Sequence, residues 1–457
     1  KLLKQDYTLR TYLKKVTINR IITLFAGIII LLSGGCEVSS NTTNLIKNKK
    51  ELDQILDQYT SNSSYPFLYA HIENIDGEIL YQYSSVNKDL FPELKVTKDT
   101  WLRIWSMSKI VTITIIMDLV EENIIDLNHP VTDYIPEFSG LQVAQSSKGI
   151  SLSKYTNADF VSTAEMLDKG NACPIILADT DSIMRVRHLV NHTAGFYYAD
   201  TEIYCLDSLS YKADITTAAD SEDLIQILSN MPLIQHPGER YHYGLNTTVL
   251  GLVAERATGK TLDQLVSERI TEPFNIPNFQ YKLPENKKLI PAVTGRDGYL
   301  RLAKPGELDI MGRNVPKYDP IQPLFLGGEG MLSTTDSYAD YLRIILNNGE
   351  LNDQRFLDEK TLRNMFSNIE REDEHGISTG FGIFITGNIL KQHGKGDSGL
   401  LQGGGYEGTN FWIDPKRKIV GLLMTQTNQS PDKSGLGSGV YDKFRGTFYR
   451  PFLSNNK

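Results

Sequence analysis

Cysteine is scarce: three residues in 457, at positions 36, 173 and 205, too few for a disulfide-built scaffold. Metal-ligand patterns are missing as well, with no His-Glu-x-x-His and no Cys-x-x-Cys. No Gly-x-Gly-x-x-Gly joins a strand to a helix, and no Gly-x-x-x-x-Gly-Lys-Ser/Thr loop is present, which sets aside the common nucleotide cradles. Positive charge is in deficit: 47 Lys and Arg face 55 Asp and Glu, a net −8. Nucleic-acid binding needs clustered cations to neutralise phosphates, so that class is excluded. Repeats and low-complexity tracts are absent. What remains is 40% hydrophobic and 22% charged, an ordinary globular composition with no call for a cofactor.

Only one long apolar run occurs, IITLFAGIIILL at 21–32, behind a basic segment over 1–20. Twelve residues fall short of about 30 Å of hydrocarbon but suit the core of a secretory signal. Ser33-Gly34-Gly35 and then Cys36 follow, an arrangement that resembles a bacterial lipoprotein signal, with Cys36 the lipidated first residue of the mature chain. Read without cleavage, the same segment is a membrane anchor. Either reading predicts an exported protein, periplasmic or on the cell surface, attached to a membrane. The expected organisation is signal 1–35, polar tether 36–48 and one domain over 49–457. Cys173 and Cys205 then form a candidate disulfide outside the cytoplasm, with two free thiols as the alternative.

The domain pattern places strands at both ends and helices between. FLYAHIENIDGEILYQY reads as a hairpin turning at Asp76-Gly77, and 380–386, 408–414 and 419–426 read as strands. Helices are predicted at 51–59, 106–122, 221–231, 247–258, 261–270 and 335–347. An α+β fold follows: one antiparallel sheet built from the two chain ends, flanked by helices, with a helical insertion. The long connections 141–180 and 281–325 are expected to rim a functional site.

The remaining chemistry is nucleophilic. Ser-x-x-Lys at a helix start stacks an amine one turn from a hydroxyl. Burial lowers the pKa of such an amine and makes it a proton acceptor, while the helix terminus offers N–H groups to developing negative charge. The pattern begins at Ser85, Ser106, Ser151, Ser430 and Ser454, but only Ser106-Met107-Ser108-Lys109 opens a strongly apolar helix, IVTITIIMDLVEE.

Around it, WLRIWSMSKIVTITIIMDLVEENIIDLNHPVTDYIPEF resembles the nucleophile region of serine hydrolases related to class C β-lactamases, and most of all the family VIII carboxylesterases. RHLVNHTAGF (187–196), PGERYHYGLNTTVLGLVAERATGKTLDQLVSERITEPF (237–274), GGEGMLSTTDSYADYLRIILNNGEL (327–351) and GGGYEGTNFWIDP (403–415) resemble further blocks of that superfamily, in order. The resemblance implies a β-lactamase/transpeptidase-like fold, Ser106 as nucleophile, Lys109 as its proton partner and Tyr243, from Tyr243-Gly244-Leu245, as the second catalytic group. It makes His192 structural and Tyr241 a packing aromatic. A phenol, ordinarily near 10, needs Lys109 close by to favour its phenolate. Relatives carry Lys-Thr-Gly, His-x-Gly or Trp-x-Gly at the third motif, where this chain has Gly403-Gly404-Gly405. The backbone N–H groups of Tyr406 and Ser106 are then the expected oxyanion donors. His393-Gly394-Lys395-Gly396 is a rival third motif set farther from the strand block.

Three functions are compatible with this reading. One is an exported serine hydrolase cleaving small-molecule esters, or amides, through an acyl-enzyme on Ser106. The second is a β-lactamase or D,D-peptidase on cell-wall peptides. The third is a binding protein that keeps the fold without turnover. Gly403 offers no cation to a substrate carboxylate, and Leu245 replaces an Asn, which favours neutral esters. Arg301 or Lys304 from the long 281–325 connection are the candidates to supply a cation instead.

Overall fold

The computed structural model describes residues 38–454, except 147, 156–174, 202, 309, 312–314, 317, 319–322, 368–370, 373–376, 387–398, 429 and 431–438. Helix α1 (Val38–Ser61) leads into strands β1 (Phe67–Asn74) and β2 (Ile79–Val86). Helix α2 (Ser108–Glu121) follows, then the insertion, which includes α3 (Asn246–Thr258) and α4 (Thr335–Leu346). The chain closes with β3 (Arg371–Glu372), β4 (Ile377–Gly380), β5 (Ile383–Thr386), β6 (Leu401–Gly404), β7 (Asn410–Asp414), β8 (Ile419–Met424) and α5 (Val440–Ser454).

These strands form one eight-stranded sheet in the order β3-β4-β5-β6-β7-β8-β1-β2, and each adjacent pair is antiparallel. The chain ends meet where β8 pairs with β1, one strand in from the β2 edge, with Tyr69 opposite Met424 and Ala70 opposite Leu423. Side chains alternate along each strand, so the sheet divides the core in two. Phe67 and Tyr69 of β1, Phe411 and Ile413 of β7, and Leu422 and Met424 of β8 pack with α2 and the insertion. Leu68, Ala70, Trp412 and Leu423 face the other way, against Leu52 and Leu56 of α1 and Phe444 and Phe448 of α5.

The predicted elements lie where the residue patterns put them, with three departures. The helix expected over 51–59 begins at Val38, so most of the predicted tether is helical; once a nucleus exists, each further residue adds a backbone bond. Residues 380–386 are a hairpin rather than one strand, because Gly382 takes a φ of +67° that turns the chain between β4 and β5. None of the described residues of 141–180 or 281–325 lines the pocket at Ser106. Residues 142–145 and 176–179 pair with each other instead, as do 293–294 and 301–302. Asp76-Gly77 forms the expected turn, with Gly77 at φ +81° and Asn74 accepting the Asp76 and Glu78 N–H groups.

Candidate active site

Ser106, the expected nucleophile, sits on a short bridge between a strand and a buried helix. Leu102 and Arg103 pair with Ser333 and Leu332, Trp105–Met107 form one tight helical turn, and α2 continues from Ser108. N–H groups in a first helical turn have no acceptor within the helix, which leaves the Ser106 amide to face an oxyanion. Trp105 carries a φ of +48°, a left-handed backbone that an aromatic residue adopts at a cost of about 1–3 kcal/mol. Glu407 holds it there. The fully buried Glu407 carboxylate accepts the Trp105 indole N–H at 2.7 Å, Arg103 Nη2 at 2.9 Å and Gln426 Nε2 at 2.9 Å.

Lys109 lies one turn on from Ser106 and is 3% exposed, among the apolar residues of α2. Its Nζ donates to Ser106 Oγ at 3.2 Å, Tyr198 OH at 2.9 Å, the Gly328 carbonyl at 2.9 Å and Glu329 Oε1 at 3.1 Å. Burial works to lower the lysine pKa, but Tyr243 and the Glu329 carboxylate outweigh it, and the net direction is up. Against the desolvated, easily deprotonated amine expected from the sequence, the surroundings favour the charged form. A lysine in that state stabilises a phenolate and does not serve as the base itself.

Tyr243 is brought to this cation, whose Nζ lies 4.9 Å from its ring centroid. His192 stacks on the phenol, 4.9 Å between centroids and 24° between planes. The imidazole is buried, and burial, helped by the Lys109 charge, pushes its pKa down to about 3, so it is neutral. Asn246, the first residue of α3, donates toward His192 Nδ1 at 3.2 Å and to the Phe196 and His242 carbonyls, fixing the segment that carries Tyr243. Tyr241 lines the same pocket and packs against His192 at 5.8 Å. Leu245 points into the core and does not reach the pocket.

The glycine run forms the facing wall. Gly403 and Gly404 line the pocket with Ser106, Lys109 and Tyr243. Gly405 presses on the nucleophile turn: a Cβ there would lie 2.6 Å from the Ile104 carbonyl oxygen and 3.1 Å from Trp105 Cβ. Only glycine permits this approach, which sets the following Tyr406 beside the nucleophile turn, with its ring 5.4 Å from that of Trp105. Gly403 faces Phe411 across the β6–β7 pair, and the Phe411 ring fills the space a side chain at 403 would need. Thr379, Gly380 and Gly382–Phe384 from the β4–β5 hairpin complete one side of the cleft, and Val190–His192 the other.

Of the predicted site residues, Ser106, Lys109, Tyr243, Gly403 and Gly404 share this pocket, and Gly405 and Tyr406 border it. Arg301 is held by Asp297 and Glu307 and Lys304 is exposed; neither reaches the pocket. His393–Gly396, Cys36 and Cys173 lie outside the described residues. Cys205, on the helix Tyr204–Ala213, is disulfide-bonded. Two buried groups escaped sequence reasoning. Tyr198 stands two residues beyond a recognised block, in an aromatic trio that reads as core. Glu329 lies inside another; the only signal was a carboxylate between glycines and apolar residues.

Comparison with known proteins agrees with this architecture. The chain belongs to the Beta-lactamase family, whose model matches residues 52–438. It is 26% identical over 351 residues to the ML-236A carboxylate methylbutanoyltransferase mlcH of Penicillium citrinum, covering 72% of this chain and 76% of that protein. It is 23% identical over 372 residues to esterase EstB of Burkholderia gladioli, covering 77% and 83%. Among solved structures, EstCE1, described as a hydrolase with promiscuous acyltransferase activity, matches with a TM-score of 0.68 at 19% identity, covering 89% of this chain and 99% of that one. The fold is thus that of β-lactamase-related serine hydrolases, a family whose members include an esterase and acyltransferases.

Proposed function

We propose that this protein hydrolyses neutral carboxylic esters through an acyl-enzyme on Ser106. The observation that carries the reading is the 3.2 Å contact of Lys109 Nζ with Ser106 Oγ in a pocket that Tyr243 also lines. In this mechanism the Tyr243 phenolate takes the Ser106 proton as Oγ attacks the ester carbonyl. The Ser106 and Tyr406 N–H groups receive the oxyanion, and Tyr243 returns the proton to the departing alkoxide. Water then releases the acid by the same steps in reverse order. An alcohol in place of that water gives acyl transfer, a second reading favoured by similarity to proteins described as acyltransferases.

Preference for neutral acyl groups rests on the pocket lining. Its one charged side chain among the described residues is Lys109, already engaged with Glu329, and the third-motif position presents Gly403 under the Phe411 ring. A substrate carboxylate there gives up solvation without gaining a cation. Intact-mass analysis after fluorophosphonate treatment should show one adduct, lost in Ser106→Ala. The kcat/KM for p-nitrophenyl butyrate should exceed that for a chromogenic cephalosporin at least about tenfold, or ~1.4 kcal/mol. The reverse order selects β-lactam hydrolysis, and no adduct selects a binding protein.

We also propose export and attachment to a membrane through lipid on Cys36, supported by the basic start, the apolar run 21–32 and the small residues before the cysteine. A fatty-acid analogue should label the wild type but not Cys36→Ala; an unlabelled mature protein rejects it.

A further inference from the structure

We propose that Glu329 is a positioning residue that fixes Lys109 as an ammonium ion and so leaves Tyr243 as the sole acceptor of the Ser106 proton. The inference rests on the acyl-enzyme reading and adds the means by which the cation is held. Glu329 is 2% exposed, yet its carboxylate is fully engaged. Oε1 takes Lys109 Nζ at 3.1 Å and the Tyr198 hydroxyl, while Oε2 takes the Thr248 hydroxyl. The loop that carries it is tied to α2 by the Thr112 hydroxyl, which donates to the Gly327 carbonyl at 2.6 Å.

The partners of Lys109 favour its charged form. The Gly328 carbonyl and the Glu329 carboxylate can only accept, so two hydrogens of Nζ are committed to them. A third hydrogen serves Ser106 Oγ or Tyr198 OH, both within 3.2 Å. Loss of a proton from Lys109 strands a buried carboxylate with no cation, the costly half of a broken ion pair. The ionisable groups around the pair are Tyr243, which faces Lys109, Tyr198, which donates to Glu329, and His192, whose ring is neutral. Tyr281 and Tyr318 also feel the Glu329 charge, and burial pushes both phenols up, so they stay neutral. Tyr243 and Glu329 both favour the charged amine, and among these groups Glu329 is the carboxylate hydrogen-bonded to it.

Glu329→Gln keeps the shape and the hydrogen bonds and removes the charge. Burial then acts unopposed by the carboxylate, and Lys109 releases its proton at lower pH. The test is the rate of Ser106 modification by a fluorophosphonate, followed by mass from pH 6 to 10. The alkaline fall-off should move down by at least one pH unit in Glu329→Gln, with a rate at pH 8.5 at least tenfold below wild type. Glu329→Asp, which retains the charge, should keep the wild-type limb. A Gln profile superimposable on wild type overturns the proposal. Should Glu329→Gln fail to fold, nitrogen NMR of lysine-labelled wild type decides. The signal missing in Lys109→Ala should be an ammonium at pH 9, and a neutral amine overturns the proposal. Absence of any Ser106 adduct in the wild type rejects the acyl-enzyme reading itself; an adduct with an unmoved pH limb rejects only the role of Glu329.

Discussion

Phe411 stands over Gly403: the two are direct partners across β6 and β7, and a Cβ at 403 would meet Phe411 Cε1 at 2.6 Å. The missing side chain of the third motif is thus replaced in space by an aromatic ring from the next strand. Phe411 is itself wedged against Tyr338 of α4, 5.6 Å between centroids, so it has little room to yield.

Restoring a cation by Gly403→Lys alone should therefore overpack the site, costing about 1–3 kcal/mol in urea-unfolding midpoint measurements. Gly403→Lys with Phe411→Leu, which makes room without emptying the space against Tyr338, should recover part of that loss and narrow the ester-to-cephalosporin ratio of kcat/KM. A single variant as stable as wild type would show that the ring moves aside freely.

Tyr243→Phe should lower the rate of Ser106 acylation by roughly 10²–10⁴, the usual size of a general acid–base contribution. Tyr241→Phe should leave it within about tenfold. Stopped-flow measurement of p-nitrophenol release checks both, and a collapse confined to Tyr241→Phe would move the base to that residue.

The buried Glu407 clamp should dominate local stability. Glu407→Ala leaves Arg103 charged and unpaired, at a cost of about 3–5 kcal/mol by chemical denaturation. Replacing both, as Arg103→Met with Glu407→Leu, should recover much of the loss in stability. Ser106 labelling should stay slow in the double variant, because the left-handed Trp105 turn has lost the acceptor of its indole N–H.

Stability should fall on acidification. Burial holds His188 and His242 down to about 4 and His192 to about 3, so the unfolded chain binds protons that the folded one refuses. That contribution is complete above about pH 6.5 and is lost as pH falls toward 4 and then 3, so the unfolding free energy should drop between pH 7 and pH 4. Asp118, raised to about 6 by burial, works in the opposite sense, as do Glu255 and Asp340, also raised by burial, whereas Glu122, Glu137 and Glu307, held low by hydrogen bonds, act with the histidines. Urea titrations across that range check the slope, and a flat profile would contradict neutral buried histidines.

What the residues determined by themselves was local. Short runs rich in β-branched, aromatic and other apolar residues mark β1, β7 and β8, and the Asp76-Gly77 turn follows from a positive φ at Gly77. The Ser106–Lys109 pair is legible because three residues of helix bring their side chains together whatever the rest of the chain does. The split of 380–386 into a hairpin was not legible, since Gly382 in an otherwise extended apolar run reads equally as a strand residue.

Only the tertiary structure decided the electrostatics of the site. Glu329 lies 220 residues from Lys109, Tyr198 lies 89 away, and Glu407 is 304 from Arg103. No periodicity encodes such pairs; they arise when the sheet built from both chain ends and the helical insertion close on one another. The same closure reverses an expectation drawn from burial alone. An apolar helix should lower the pKa of Lys109, and it does so locally, but Tyr243 and the carboxylate of Glu329, both delivered by distant segments, outweigh desolvation and turn the net direction upward.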